Sequence, residues 1–131
     1  MQILLDIDCL IQAVKNKADS TVLHLCRQKR CKGWVVSTSI PVILAEAEEQ
    51  DVQSLLQDLA VLTPTAHDIN QALGSGKPFA QDLAARLVEA SGLDAVVTLT
   101  PENFSDLKVD ALTPEQLQGK MDAPAEPVQE V

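Results

Sequence analysis

Short apolar segments alternate with helix-like segments along this chain, and this alternation limits the folds that the chain can adopt. Residues 2–7 form an apolar run that ends in acidic residues, which is typical of a buried parallel strand. Similar runs occupy residues 34–37, 61–62, 94–98 and 109–112. Because parallel strands are joined by crossover connections, we expect helices on both faces of a central parallel sheet of four to five strands.

The segments between these runs have the spacing of amphipathic helices, with Asp19 or Ser20, Ser39 and Thr113 as candidate caps and Gly33 as a candidate terminator. The predicted helices cover residues 9–16, 19–31, 40–49, a segment that begins at Asp51, 65–73, 79–91 and a turn that follows Thr113. The sequence therefore predicts a three-layer α/β/α domain. We expect that domain to cover residues 1–118 and a flexible acidic tail to cover residues 119–131.

Composition predicts one compact core in a reducing compartment. Hydrophobic residues make up 46% of the 131 positions but aromatic residues only 2%, so the core must consist of Leu, Val, Ile and Ala. No apolar run approaches the roughly 20 residues that span a bilayer, and we expect a cytoplasmic protein. The three cysteines lack the spacing of a disulfide framework or a zinc site. Cys9 and Cys26 are predicted in the core, and Cys31 is predicted to be a partly exposed thiol.

The charge is unevenly distributed. The formal net charge is −9, which disfavours RNA as a general partner because phosphate contacts need Lys or Arg. A basic segment nevertheless includes Arg27, Lys29, Arg30 and Lys32, and these side chains are candidate phosphate contacts. The alternative is that they are solvated cations that complement a helix dipole.

Two acids follow the first predicted strand. In open α/β sheets, ligands bind beyond the carboxyl ends of the strands, which is where Asp6 and Asp8 are expected. Two carboxylates there could hold a hard cation such as Mg²⁺ or Mn²⁺, which could activate water for phosphoryl chemistry. In the alternative interpretation, Asp8 caps the following helix and Asp6 is paired locally.

The order of four segments resembles that of PIN domains. The first segment, Leu-Leu-Asp-Ile-Asp-Cys-Leu-Ile at residues 4–11, resembles the family's opening strand with its acid. The others are the second strand at residues 34–40, the late strand and loop at 92–104, and the ending at 111–117. The resemblance spans residues 2–118. The resemblance implies the fold of metal-dependent nucleases that cut single-stranded RNA. It also implies an antitoxin-like protein partner and a homodimer.

The resemblance also implies three or four acids around one or two divalent metals. The first falls on Asp6, and its neighbour falls on Asp8, where the family often has Asn. A helix acid is expected a few residues after Ser39, and Glu46 is the candidate.

The third and fourth acids of the family pattern are displaced in this chain. The third acid belongs at position 81, which is Gln81 in this chain, and Asp82 stands one place later. We expect Asp82 to lie on a solvated face of its helix and to form an ion pair with Arg86. The fourth belongs at Thr100, and Glu102 is the nearest substitute, with a first-turn helix acid as its alternative role.

Two functions follow from this incomplete set of acids. In the favoured one, the chain is a non-catalytic PIN-like module that binds a protein partner, or RNA without cutting it. The alternative is a Mg²⁺- or Mn²⁺-dependent endoribonuclease with Asp6 and Asp82 as catalytic acids. Its metal ligands would be drawn from Asp6, Asp8, Glu46, Asp82 and Glu102. A receiver-like α/β fold is a third class, but its characteristic acceptor Asp and Lys are not evident.

Overall fold

The computed structural model describes residues 1–16 and 20–122. These residues form an α/β fold in which five parallel strands make one sheet with helices on both faces, as the sequence predicts. The strands are β1 (Gln2–Leu5), β2 (Lys32–Val36), β3 (Ala60–Leu62), β4 (Ala95–Val97) and β5 (Ala111–Leu112). The helices are α1 (Ile7–Lys15), α2 (Thr21–Arg27), α3 (Ile40–Leu44), α4 (Glu49–Leu56), α5 (Ala66–Leu73), α6 (Phe79–Ser91) and α7 (Pro114–Asp122). Short 3-10 segments cover Ser37–Ser39 and Pro101–Phe104.

The sheet reverses its direction of growth next to its central strand. The strand order is β3-β2-β1-β4-β5, so β2 and β3 extend the sheet on one side of β1 while β4 and β5 extend it on the other. Ile3 of β1 is in register with Gly33 of β2 and with Ala95 of β4. The carboxyl ends of β1 and β4 thus form a topological switch point, which is the usual ligand position in open α/β sheets.

The central strand contributes side chains to two apolar clusters, because successive residues of a strand point to opposite faces. Ile3 and Leu5 belong to the larger cluster, and Leu4 belongs to the other. Among the helical residues, Leu10, Leu23, Leu55 and Leu117 complete the larger cluster, while Leu83, Leu87 and Phe104 complete the smaller one. The core is therefore aliphatic, as the composition predicts, with Phe104 as its buried aromatic residue.

Helix ends differ from the prediction where the chain turns sharply. Helix α2 ends at Arg27 rather than at residue 31, because Lys29 adopts a left-handed backbone with φ of 58°. Gly33, the predicted terminator, lies inside β2 instead. Ser20 caps α2 by accepting a hydrogen bond from Leu23 N at 3.2 Å, and Asp19 lies outside the described residues.

The predicted helix 40–49 ends early, at Leu44, because the chain turns at residues 45–47, and the predicted helix that begins at Asp51 begins at Glu49 instead. Ser39 precedes α3 without a side-chain cap bond, and Asp51 lies in the first turn of α4 rather than at its cap. Thr113, in contrast, accepts from Gln116 N as a cap should. Helix α7 continues to Asp122, so residues 119–122 are helical although the sequence assigned them to the tail. The rest of that tail, residues 123–131, lies outside the described residues.

Candidate functional site

Asp6 stands at the carboxyl end of β1 and serves as the cap of α1. Its Oδ1 accepts a hydrogen bond from Ile7 N at 2.9 Å, and its own backbone N donates to Val97 O at 2.9 Å. The second bond continues the pairing of β1 with β4. The strand and the helix that follows it therefore hold this carboxylate at the switch point.

Asp8 turns back toward the same place from the first turn of α1. Its Oδ1 accepts from Cys9 N at 2.6 Å. Its Oδ2 accepts from Leu99 N at 3.2 Å and from the Thr100 hydroxyl at 3.1 Å, both of which follow β4. Asp8 therefore joins the start of α1 to the loop after β4. Asp6, not Asp8, is the helix cap, so the alternative interpretation assigned that role to the wrong residue.

The Thr98 hydroxyl lies between the two carboxylates. It is 2.9 Å from Asp6 Oδ2 and 3.1 Å from Asp8 Oδ2, and Thr98 is fully buried. A hydroxyl carries one hydrogen, so it can donate to only one of the two carboxylates at a time. We refer to Asp6, Asp8, Thr98 and Thr100 as the strand-end cluster.

The electrostatics of the strand-end cluster disfavour two full charges. Burial raises the pKa of Asp6 above its ordinary value, and the nearby charge of Asp8 raises it further. The hydrogen bonds from Thr98 and from the backbone of Ile7 lower that pKa but do not cancel the effect of burial. A proton, a cation or a basic group from a ligand would relieve this repulsion.

Asp82 is buried, which contradicts the predicted solvated position. It is only 5% exposed, and its Oδ2 accepts from Arg86 Nε at 2.6 Å. The predicted ion pair is thus present, but on a covered face. Residues 82–85 are all buried, which corresponds to about 300° of helix circumference. Helix α5 packs against α6, whereas the sequence reasoning assumed that α6 buries one face alone.

Within the described part of the chain, the side chains of Glu46 and Glu102 form no hydrogen bond with the strand-end cluster. Glu46 pairs with Lys15 at 3.7 Å on the surface. Glu102 is exposed in the 3-10 segment that follows Thr100. Across residues 1–16 and 20–122, no three acidic, His or Cys side chains are grouped so that they could hold a metal ion. The structure thus brings Asp6 and Asp8 together and leaves the other candidate ligands apart from them.

The basic segment lies at the opposite edge of the sheet. Lys32 begins β2 beside Gln2, whereas Asp6 follows the end of β1. Arg27 pairs with Asp58 at 2.9 Å, and Arg30 pairs with Asp122 at the same distance. These cations are therefore partly neutralised and far from the acid pair.

An apolar cavity adjoins the strand-end cluster. It has a volume of about 170 Å³ and lies between the ends of β1 and β2, the start of α3 and the start of α6. Asp6 lines it, and the exposed side chains Val42 and Phe79 stand among its walls. Sequence reasoning missed this cavity, and it treated Thr100 only as a lost acid and gave Thr98 no role. The sequence did contain a signal for Thr98, because it directly follows the apolar run of β4, and the ends of parallel strands such as β1, where Asp6 stands, meet at one edge of the sheet.

Comparison with known proteins supports the fold. No protein-family model and no curated protein sequence matches the chain. Among solved structures, the chain is similar to the crystal structure of PAE2754 from Pyrobaculum aerophilum, with a TM-score of 0.67 and 18% sequence identity. The match covers 95% of this chain and 91% of that chain. The likeness therefore extends over nearly the whole three-layer α/β/α fold.

No helix within the described parts of the chain combines the length and apolar character that crossing a membrane requires.

Proposed function

We propose that this chain is a PIN-like domain that binds a protein partner at the carboxyl edge of its sheet and does not cut RNA. The observation that carries the proposal is the strand-end cluster, in which two carboxylates share one buried hydroxyl. Where the PIN resemblance implies further acids, the cluster has Thr100, and the acid of the late helix, Asp82, is bound to Arg86.

Two carboxylates are a weak basis for metal-dependent cleavage of RNA. Nuclease chemistry of this kind requires a divalent ion that activates water and stabilises the charge on the phosphoryl group. Asp8 already accepts three hydrogen bonds, from Cys9 N, Leu99 N and the Thr100 hydroxyl. A cation would have to displace some of these donors and would gain only two anionic ligands. The net charge of −9 would also repel RNA.

The same edge has the features of a site for a basic and apolar peptide segment. The cavity beside Asp6 can accept an apolar side chain, and Phe79 and Val42 offer exposed apolar surface next to it. A Lys or Arg on the partner could then donate to Asp6 or Asp8 and relieve the repulsion between them. An antitoxin-like protein with an apolar residue near an arginine fits this description.

The catalytic half of the proposal is tested with Mn²⁺ and RNA. We expect calorimetry to detect no Mn²⁺ binding to the cluster, and we expect purified protein to leave a single-stranded RNA intact in Mg²⁺ or Mn²⁺. Asp6→Asn is the informative variant because Asn also caps helices and nearly preserves the shape. Glu46→Gln is the matched control, since Glu46 lies away from the cluster.

The binding half is tested by photo-crosslinking from two positions on one helix. A photo-reactive phenylalanine analogue at position 79 faces the cavity, and the same analogue at position 89 lies near the other end of α6. In the native cell we expect a discrete crosslinked protein from position 79 only, weakened by Asp8→Asn. Equal crosslinking from both positions, or crosslinking that Asp8→Asn does not affect, contradicts the proposed binding edge.

A metal-dependent endoribonuclease remains the second candidate, because Asp6 and Asp8 lie at the switch point and the pKa of Asp6 is raised beside a second carboxylate. Such a pair would gain from a bound cation. RNA cleavage that needs Mn²⁺, disappears in Asp6→Asn and survives in Glu46→Gln would establish this candidate and overturn the non-catalytic proposal.

A further inference from the structure

Two of the three cysteines approach each other at the amino edge of the sheet. The Sγ atoms of Cys26, near the end of α2, and Cys31, just before β2, are 3.6 Å apart. Cys31 is buried and Cys26 is half-buried, the reverse of the exposure predicted from the sequence. The third cysteine, Cys9, lies in the core beside Asp8.

The backbone between the two cysteines holds them in place. Lys29 N donates to Cys26 O, and Arg30 N donates to Leu25 O, both at 3.0 Å, so a tight turn with a left-handed Lys29 separates the thiols. Gly33 leaves room for the sulfur, since a Cβ at that position would lie 3.0 Å from Cys26 Sγ. A disulfide needs the sulfurs to close to about 2.05 Å, so oxidation must draw the two sulfur atoms together by about 1.5 Å.

Both cysteines line an open cavity of about 610 Å³, through which a small oxidant can approach them. The pKa of the Cys31 thiol is lowered, chiefly because the Cys26 thiol can donate a hydrogen bond to its thiolate. Burial opposes this shift, while the positive charges of the N-terminal amine and of Arg30 add to it. Cys9, in contrast, is buried in the core at 4% exposure, so an oxidant cannot easily reach that thiol.

We propose that Cys26 and Cys31 are a redox-reactive dithiol that hydrogen peroxide converts into a reversible intramolecular disulfide. In the first step the Cys31 thiolate attacks one peroxide oxygen, the O–O bond breaks, and one proton is taken up, which gives a Cys31 sulfenic acid and water. In the second step the Cys26 sulfur attacks the Cys31 sulfur, the S–O bond breaks, and a second water leaves. The protein is oxidised by two electrons and the peroxide is reduced. This inference does not depend on the proposed function, because it concerns the opposite edge of the sheet.

The direct test counts thiols in the wild-type protein after treatment with hydrogen peroxide. We expect alkylation under denaturing conditions to fall from three thiols to one, with Cys9 still alkylated, and dithiothreitol to restore all three. Trypsin cleaves after Arg27, Arg30 and Lys32, so the disulfide would appear as two peptides joined through sulfur. Retention of three thiols, loss of Cys9 at the same rate, or a disulfide between two copies of the chain would overturn the proposal.

Variants separate the roles of the two sulfurs. In Cys26→Ser we expect dimedone to trap a sulfenic acid at Cys31, because no second sulfur can resolve it. In Cys31→Ser we expect little trapping at Cys26. Trapping at Cys26 instead would contradict the assignment of Cys31 as the attacking thiolate. Circular dichroism confirms folding of each variant, and the wild-type thiol count decides the proposal whatever the variants do.

Discussion

Thr98 donates its buried hydroxyl toward Asp6 Oδ2 at 2.9 Å, although 92 positions of sequence separate the two residues. They meet because β1 and β4 are neighbours at the centre of the sheet and both strands end at the same edge. Asp8 approaches the same hydroxyl, and two carboxylates then share a single donor. The repulsion between the two carboxylates should lower the free energy of unfolding at neutral pH, and it should favour ligands that bring positive charge to this edge.

Asp6→Asn should raise the free energy of unfolding at pH 7. Burial and the charge of Asp8 raise the pKa of Asp6 in the folded protein above the ordinary value of 3.8. Between those two pKa values the folded state binds more protons than the unfolded state, so wild-type stability falls as the pH rises through that window. Asn removes the charge and can still cap α1.

Urea unfolding at a series of pH values measures this effect. The gain from Asp6→Asn should be largest above the folded pKa of Asp6 and should shrink as the pH falls toward 3.8. Glu102→Gln controls for the loss of one negative charge at an exposed side chain nearby. If Asp6→Asn instead lowers the free energy of unfolding at pH 7, the charged carboxylate stabilises the folded protein, and the prediction is wrong.

Thr98→Val should destabilise the protein by about 1 to 3 kcal/mol, because it removes a buried donor from Asp6 while nearly preserving the side-chain shape. Thr100 N also loses its acceptor, the Thr98 hydroxyl at 3.1 Å. Thr98→Ser keeps the hydroxyl and should lose less in the same urea titration. If Thr98→Val costs little while Thr98→Ser costs more, the methyl contacts rather than the shared hydrogen bond hold this residue in place.

Arg86→Met should destabilise the protein by about 1 to 3 kcal/mol, because it leaves the buried carboxylate of Asp82 without its partner while keeping an apolar stem. Adding Asp82→Asn should recover part of this loss, since the isolated charge is then gone. A double-mutant cycle by urea unfolding measures the coupling. Purely additive effects would mean that the ion pair contributes nothing beyond its surroundings.

Gly33→Ala should destabilise the protein by about 1 kcal/mol, because a Cβ at this position of β2 would lie 2.6 Å from Leu59 Cδ2 and 3.0 Å from Cys26 Sγ, so that both side chains must shift. Leu59→Ala in the same chain should restore part of the lost stability by removing the obstructing methyl group. Gly119→Ala is the control, since it lies in α7 with no atom near its added Cβ and should be neutral or stabilising. Thermal unfolding compares the three variants with the wild type. A Gly33→Ala variant as stable as the wild type would refute close packing at this position.

The sequence by itself determined the class of fold and much of its order. Local patterns predicted α6 at its observed bounds, residues 79–91, and the parallel sheet. They placed Asp6 and Asp8 together after β1, because residues close in sequence remain close in space. They could not place the end of α2, where the left-handed Lys29 interrupts a pattern that otherwise continues.

Tertiary structure alone decided which distant residues meet. The Thr98 hydroxyl reaches Asp6 because β4 pairs with β1. Asp82 is buried because α6 packs against other elements, α5 among them, and not against the sheet alone. Cys26 and Cys31 are close in sequence, but their contact depends on the turn between them and on the space left by Gly33. Periodicity reports which face of an element is apolar, whereas strand order and helix packing decide what that face and the strand ends contact.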